Sequence, residues 1–145
     1  MRPIFIVLIA AALCSTSAYA QKKTTEIPTG IKASAAKKYP NATGIIWERE
    51  NGKYETSFTD KGKKMSVLYD TDGRLEETET EIVIAELPAA ARKYAERMGK
   101  IKEAAKIVLA SGKVQYEAEV KNKDILFDDQ GHLLQEKTEK DEGKD

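Results

Sequence analysis

The chain holds one cysteine, Cys14, and one histidine, His132. A zinc site built from these two residue types needs several of them close together, so none is expected. Cys14 lies in the N-terminal stretch, and if that stretch is removed neither a disulfide nor a thiolate nucleophile remains. No Gly-x-Ser-x-Gly elbow is present to go with His132, so a Ser-His-acid triad is not expected either. The chain also lacks an excess of charge: 24 basic residues face 24 acidic ones. A general nucleic-acid binder needs a basic surface, and this balance argues against one. Long apolar runs are missing beyond the N-terminus, so no membrane span is expected in the mature chain.

The N-terminus is the exception. Met1-Arg2 precedes an apolar run from Ile4 to Leu13, and small residues then lead to Ala18-Tyr19-Ala20. A basic start, an apolar core and an A-x-A site in that order predict a secretory signal peptide over residues 1–20, cut after Ala20. The run is short of the roughly 20 apolar residues that a bilayer requires. A lipoprotein signal would want a small residue before Cys14, and Leu13 stands there. The expected location is therefore the periplasm or the exterior.

The rest of the chain looks self-similar at an offset of about 60 residues. Ile27-Pro28 recurs as Leu87-Pro88, Asn51-Gly52 as Ser111-Gly112, and Tyr54-Glu55 as Tyr116-Glu117. Tyr69-Asp70-Thr71-Asp72-Gly73-Arg74-Leu75 recurs as Phe127-Asp128-Asp129-Gln130-Gly131-His132-Leu133. Each half reads as a helix opened by proline, then four alternating segments punctuated by turns. Pro28 and Pro88 suit a first helical turn, where a missing N–H costs nothing. Ile31, Ala35 and Tyr39 recur at helical spacing before Pro40, and Ala91, Tyr94, Ala95 and Met98 before Gly99. Strands are predicted near Thr43–Glu50, Lys53–Thr59, Lys63–Tyr69 and Arg74–Ile82. In the second half they fall near Ile101–Ala110, Lys113–Val120, Asp124–Phe127 and Leu133–Lys137. The turns between them carry Gly or Asn, as antiparallel hairpins demand.

The predicted fold is thus α+β, a tandem repeat of one helix plus a four-stranded antiparallel sheet. Its divisions are 1–20, 21–84, 85–138 and a charged tail, 139–145, expected to be disordered. Period two puts Ile45, Trp47, Tyr54, Phe58, Met65, Val67, Tyr69 and Leu75 on a face beneath a helix. The matching set is Ala105, Ile107, Tyr116, Val120, Ile125, Phe127 and Leu133. The apolar residues left on the outer face, Ile46, Leu68, Val108 and Leu126, are candidates for contact with a partner. Ile82, Val83, Ile84 and Leu87 join the halves without a Gly/Ser linker, so one packed unit is expected, with the merging of the two sheets left open.

Three constellations are candidates for chemistry. Asp70 and Asp72, with Asp128 and Asp129, resemble the opening of a calcium loop, but the remaining ligands do not follow at the required spacing. Asp-Gly turns account for the same residues through backbone geometry. His132 follows a turn glycine. Glu77, Glu79 and Glu81 share one face of a strand, opposite Glu76, Thr78 and Thr80. A solvated strand explains them, although a glycosidase-like pair has the same composition. No catalytic residue and no cofactor is assigned.

The duplicated Ile/Leu-Pro helix, Tyr-Glu strand and aromatic-Asp-x-x-Gly-x-Leu hairpin resemble the PepSY-like family of exported Bacteroidetes proteins, also described as β-lactamase-inhibitor-like (BLIP-like). The resemblance runs from about Ile27 to Thr138. It implies an antiparallel α+β protein of the cell envelope, and by analogy an inhibitor or chaperone of secreted peptidases. The expected function is a non-enzymatic module that binds a protein or peptide partner in the envelope. The alternative is an envelope ligand or calcium sensor built on the acidic turns. N-terminal sequencing of the exported protein is expected to begin at Gln21, and thiol titration of that product to find no cysteine. A first residue of Cys14 would show lipoprotein processing instead.

Overall fold

A computed structural model describes residues 26–50 and 52–138. The expected signal peptide and cleavage site, Cys14, Asn51 and the charged tail after Thr138 lie outside the described residues. The elements are α1 (Thr29–Lys38), β1 (Thr43–Glu50), β2 (Lys53–Asp60), β3 (Lys63–Tyr69) and β4 (Leu75–Glu81). A single 3₁₀ turn, Ile84–Glu86, follows. Then come α2 (Ala89–Met98), β5 (Ile101–Leu109), β6 (Val114–Val120), β7 (Lys123–Asp128) and β8 (Leu133–Thr138). Both helices begin directly after a proline, Pro28 or Pro88.

The tandem arrangement of two four-stranded sheets is not what forms. All eight strands make one antiparallel sheet in sequence order, β1 to β8. The seam is β4 against β5, where Glu77 pairs with Leu109, Glu79 with Ile107 and Glu81 with Ala105. Backbone bonds extend it at both ends, from Ile82 N–H to Ala104 O (2.9 Å) and from Ala110 N–H to Glu76 O (2.6 Å). Two separate sheets would leave β4 and β5 as exposed edges with unpaired backbone groups. Pairing them removes both edges at once.

Both helices lie on the same side of this sheet. Paired residues point to one face, and Met65 pairs with Thr80, Thr80 with Lys106, and Lys106 with Tyr116. That row links the cluster under α1 to the cluster under α2. The first cluster gathers Ile27, Ile31, Ala35, Tyr54, Phe58, Val67 and Tyr69. The second gathers Leu87, Ala91, Ala95, Ile101, Ala104, Ala118, Val120, Ile125 and Phe127. The helices present small residues to the sheet, Ala35, Ala91 and Ala95, so their axes can approach closely. Val67, Ile125 and Phe127 are fully buried, each contributing roughly 1.5–3 kcal/mol of apolar transfer. Aromatic pairs tie helix to sheet: Tyr39 with Phe58 (4.7 Å between ring centres) and Tyr94 edge-on to Phe127 (5.8 Å).

The faces expected for β5 need correction. Its register slips between Ile101 and Glu103, and the extra residue of such a bulge inverts the alternation downstream. Ala104 therefore joins the core under α2. Ala105 and Ile107, expected beside it, point to the opposite face. Val108, expected on the outer face, shares the helix side with its partners Thr78 and Val114. Leu133, expected in the core, is 43% exposed.

The two Asp-x-x-Gly turns fix the helices as well as the hairpins. A Cβ added to Gly131 (φ +88°) would stand 2.7 Å from the Ala91 backbone nitrogen and 3.0 Å from Pro88 Cβ. The turn is thus pressed against the start of α2. Gly62 (φ +79°) has the same sign of φ, but its added Cβ would meet nothing within 4 Å. Gly62→Ala should cost only the left-handed penalty, roughly 1–2 kcal/mol. Gly131→Ala should cost at least about 1 kcal/mol more from overpacking. Urea unfolding of both variants checks this difference, and equal losses would refute the account of the turn.

Candidate functional site

The face opposite the helices is covered by no element among the described residues. Its side chains follow from register alone. One row runs Ile46, Ser57, Ser66, Glu79, Ile107, Gln115 and Asp128 across β1 to β7. Rows beside it carry Glu48, Glu55, Leu68, Glu77 and Leu109, and Glu81, Ala105, Glu117, Leu126 and Gln135. The face is hollowed into two adjoining depressions of about 330 and 360 Å³. Glu55, Ser66, Glu79, Glu117 and Asp124 line both.

The floor is apolar and the walls are acidic. Ala105 and Ile107 are only 7% and 5% exposed, although no described helix or strand lies over them. The neighbouring long side chains shield them: Glu79 pairs with Ile107, and Glu81 and Glu117 flank Ala105. The lysines of this face stand toward its margin. Lys64 Nζ lies 4.0 Å from Glu81 and 3.8 Å from Glu103, and Lys102 lies 2.8 Å from Glu119. Such exposed pairs contribute little to stability, but they place positive charge beside the outer carboxylates.

Glu79 carries the electrostatic consequence. Its carboxyl is pushed up to about 7, first by burial and then by the negative charges of Glu55, Glu77, Asp124 and Glu103. Desolvation and like charge both disfavour the ionised form, so the two causes add.

The acidic turns hold their carboxylates differently. Asp70 Oδ1 accepts the backbone N–H groups of Asp72 (2.9 Å) and Arg74 (2.8 Å). Asp128 Oδ1 accepts those of Gln130 (2.9 Å) and His132 (2.8 Å). The His132 ring sits 3.0 Å from Asp128 Oδ2. The His132 backbone bond, then its ring and the Gln130 N–H, hold the Asp128 carboxyl below its ordinary value. Asp72 meets Arg74 at 3.4 Å, and Asp129 is exposed at the turn tip. Among the described residues no group of three or more His, Cys, Asp or Glu is arranged to hold a metal ion.

Of the four apolar residues expected at a partner surface, Ile46, Leu68 and Leu126 lie on the open face and Val108 does not. Leu68 and Leu126 line the second depression. Glu77, Glu79 and Glu81 share the open face as their alternation predicts. Glu55, Glu117 and Asp124, which complete the acidic walls, were not among the expected site residues. Only the pairing across β2 to β7 brings them together, although the Tyr-Glu pairs at 54–55 and 116–117 mark two of them.

No family model matches the chain, and comparison with curated proteins finds no match. Solved structures do share its fold. A Bacteroides eggerthii protein of inferred periplasmic location superposes with a TM-score of 0.67 at 20% identity, covering 79% of this chain and 90% of that one. A DUF2874 family protein from Bacteroides uniformis gives 0.67 at 20% identity, over 78% and 90%. A BLIP-like protein from Bacteroides fragilis gives 0.58 at 24% identity, over 80% and 89%. These likenesses establish the fold, an eight-stranded BLIP-like sheet with two helices. No helix among the described residues is long and apolar enough to cross a membrane.

Because the folded state raises Glu79, it holds that proton more tightly than the unfolded chain does. This contribution to stability is fully present below about pH 4.5 and is lost as pH rises through about 7. Partial solvent access to the groove limits it to on the order of 1–3 kcal/mol. Glu79→Gln should therefore be more stable than wild type at about pH 8, with the advantage shrinking toward about pH 5. Chemical unfolding of both proteins at the two pH values reads this directly. A pH-independent difference would contradict it.

Proposed function

We propose that the chain is an exported, non-enzymatic binding module that engages a protein or peptide partner through the open face of its sheet. The observation that carries this reading is the asymmetry of the sheet. One side bears both helices and the core, and the other is a hollowed eight-stranded surface with buried apolar residues and no covering element among the described residues. Soluble proteins rarely leave a large concave face with an apolar floor unused. The signal-peptide pattern and the inferred periplasmic location of the Bacteroides eggerthii relative support export. The BLIP-like description of the Bacteroides fragilis relative supports an inhibitor-like reading. The acidic turns are better read as structural, since Asp70 and Asp128 brace their own backbone.

The test is capture from a periplasmic extract by the mature chain, with the contact mapped by cross-linking. Leu68→Arg and Leu126→Arg each place a bulky cation in the second depression. Each is expected to reduce capture of the partner by about tenfold or more. Lys93→Glu, on the exposed side of α2, should leave capture unchanged. A partner whose recovery ignores both open-face substitutions would refute this reading, as would cross-links confined to the helices.

A further inference from the structure

The chain as a whole is neutral, with 24 charges of each sign. Its open face is not. Glu55, Glu79, Glu103, Glu117, Glu119 and Asp124 surround the first depression, with Lys64 the one basic residue of its lining among the described residues, and Lys137 that of the second. Charge has therefore been segregated onto one surface of a protein that has none in excess. The floor is aliphatic, from Ala105 in the first depression and Ile107 in the second. These are two separate features, a buried apolar base and an anionic wall.

We infer that the open face takes an extended cationic segment of a protein partner, its lysine or arginine stems lying on Ala105 and Ile107 and its charged heads among the carboxylates. The inference rests on the reading of the chain as a partner-binding module. Lysine and arginine are the side chains that combine an apolar stem with a cationic head, so they match both layers of the site. A simple metal ion would use the wall and ignore the floor, and no set of carboxylates among the described residues is arranged to chelate one. An anionic partner would meet repulsion over most of the face, away from Lys64 and Lys137. The hollow runs through both depressions, which share Glu55, Ser66, Glu79, Glu117 and Asp124, so an extended segment can place more than one side chain in it. Alternate residues of an extended chain stand roughly 6–7 Å apart and point the same way, as such a fit requires. The crowding of like charge around Glu79 adds a driving force, since an inserted cation offsets repulsion that the free protein must bear.

The probe is a peptide of about ten residues alternating lysine and alanine, with matched peptides carrying glutamine or glutamate in place of lysine. Binding to the full mature chain is measured by fluorescence anisotropy at about pH 8, where Glu79 is ionised, at low and high salt. The lysine peptide should bind at least about tenfold more tightly than the glutamine peptide, and the glutamate peptide not at all. Its affinity should fall with salt. The double substitution Glu79→Gln/Glu117→Gln should weaken it by about tenfold, with circular dichroism confirming the fold. The double substitution Glu96→Gln/Asp129→Asn removes the same charge from exposed positions elsewhere and should change affinity by less than about twofold. Equal binding of lysine and glutamine peptides would overturn the inference. So would equal losses from the two double variants, which would mean diffuse attraction only. A natural partner sensitive to Leu68→Arg but indifferent to Glu79→Gln/Glu117→Gln would also overturn it, while leaving the binding module itself standing. Indifference to every open-face substitution would remove both.

Discussion

The pairing of β4 with β5 decides the character of this molecule. It converts two runs of four strands into one sheet, and with both helices on one side it leaves a single broad face that no described element covers. Each half alone would bury little apolar surface and would expose one more sheet edge. The seam also sets what lies beside what. Glu79 stands next to Ile107 and Glu81 next to Ala105 because of the register there. A shift of one residue at that seam would exchange the two faces of every strand beyond it. The acidic hollow is thus a product of one ladder of backbone hydrogen bonds, formed between strands separated by a helix.

The two faces are governed by different physics. Under the helices, burial of aliphatic and aromatic side chains supplies the favourable free energy, and the residues are interchangeable in kind. On the open face the dominant effect is unfavourable. Carboxylates from β2, β4, β5, β6 and β7 converge on a partly enclosed depression, and burial with like charge pushes the Glu79 carboxyl up to about 7. Neutral or alternating charge would be more stable there, as it is on the rest of a chain with balanced composition. A surface that keeps a local electrostatic cost, while its opposite side is well packed, is a candidate site on physical grounds.

Much of the local structure was legible in the sequence. Period-two alternation and turn residues located the eight strands, and proline located the two helix starts, because these signals depend on near neighbours. The expected division into two sheets was not correct, since nothing in local pattern specifies which strand edges will meet. The bulge in β5 was equally invisible. One additional residue near Lys102 moved Ala105 and Ile107 from the predicted core face to the open one, and Val108 the other way. The candidate site suffered most from this. Glu77, Glu79 and Glu81 were seen as a row because they lie on one strand. Glu55, Glu117 and Asp124 became their neighbours only through pairing across the sheet.

The most conspicuous motif in the sequence, Asp-x-x-Gly, turns out to serve the scaffold. Its aspartate oxygen accepts two backbone N–H groups of its own turn, and at Gly131 the glycine leaves room for the backbone at the start of α2. A carboxylate held in this way resists recruitment by a metal, because ligation would compete with the bonds that shape the hairpin. The carboxylates of the open face stand mid-strand instead, where the ladder already satisfies the backbone and the side chain is not needed to shape it. In a sheet protein of this kind, function is written less in contiguous motifs than in the residues that register brings side by side. The open face, and not the turns, is where an incoming chain would find both charge to neutralise and apolar surface to cover.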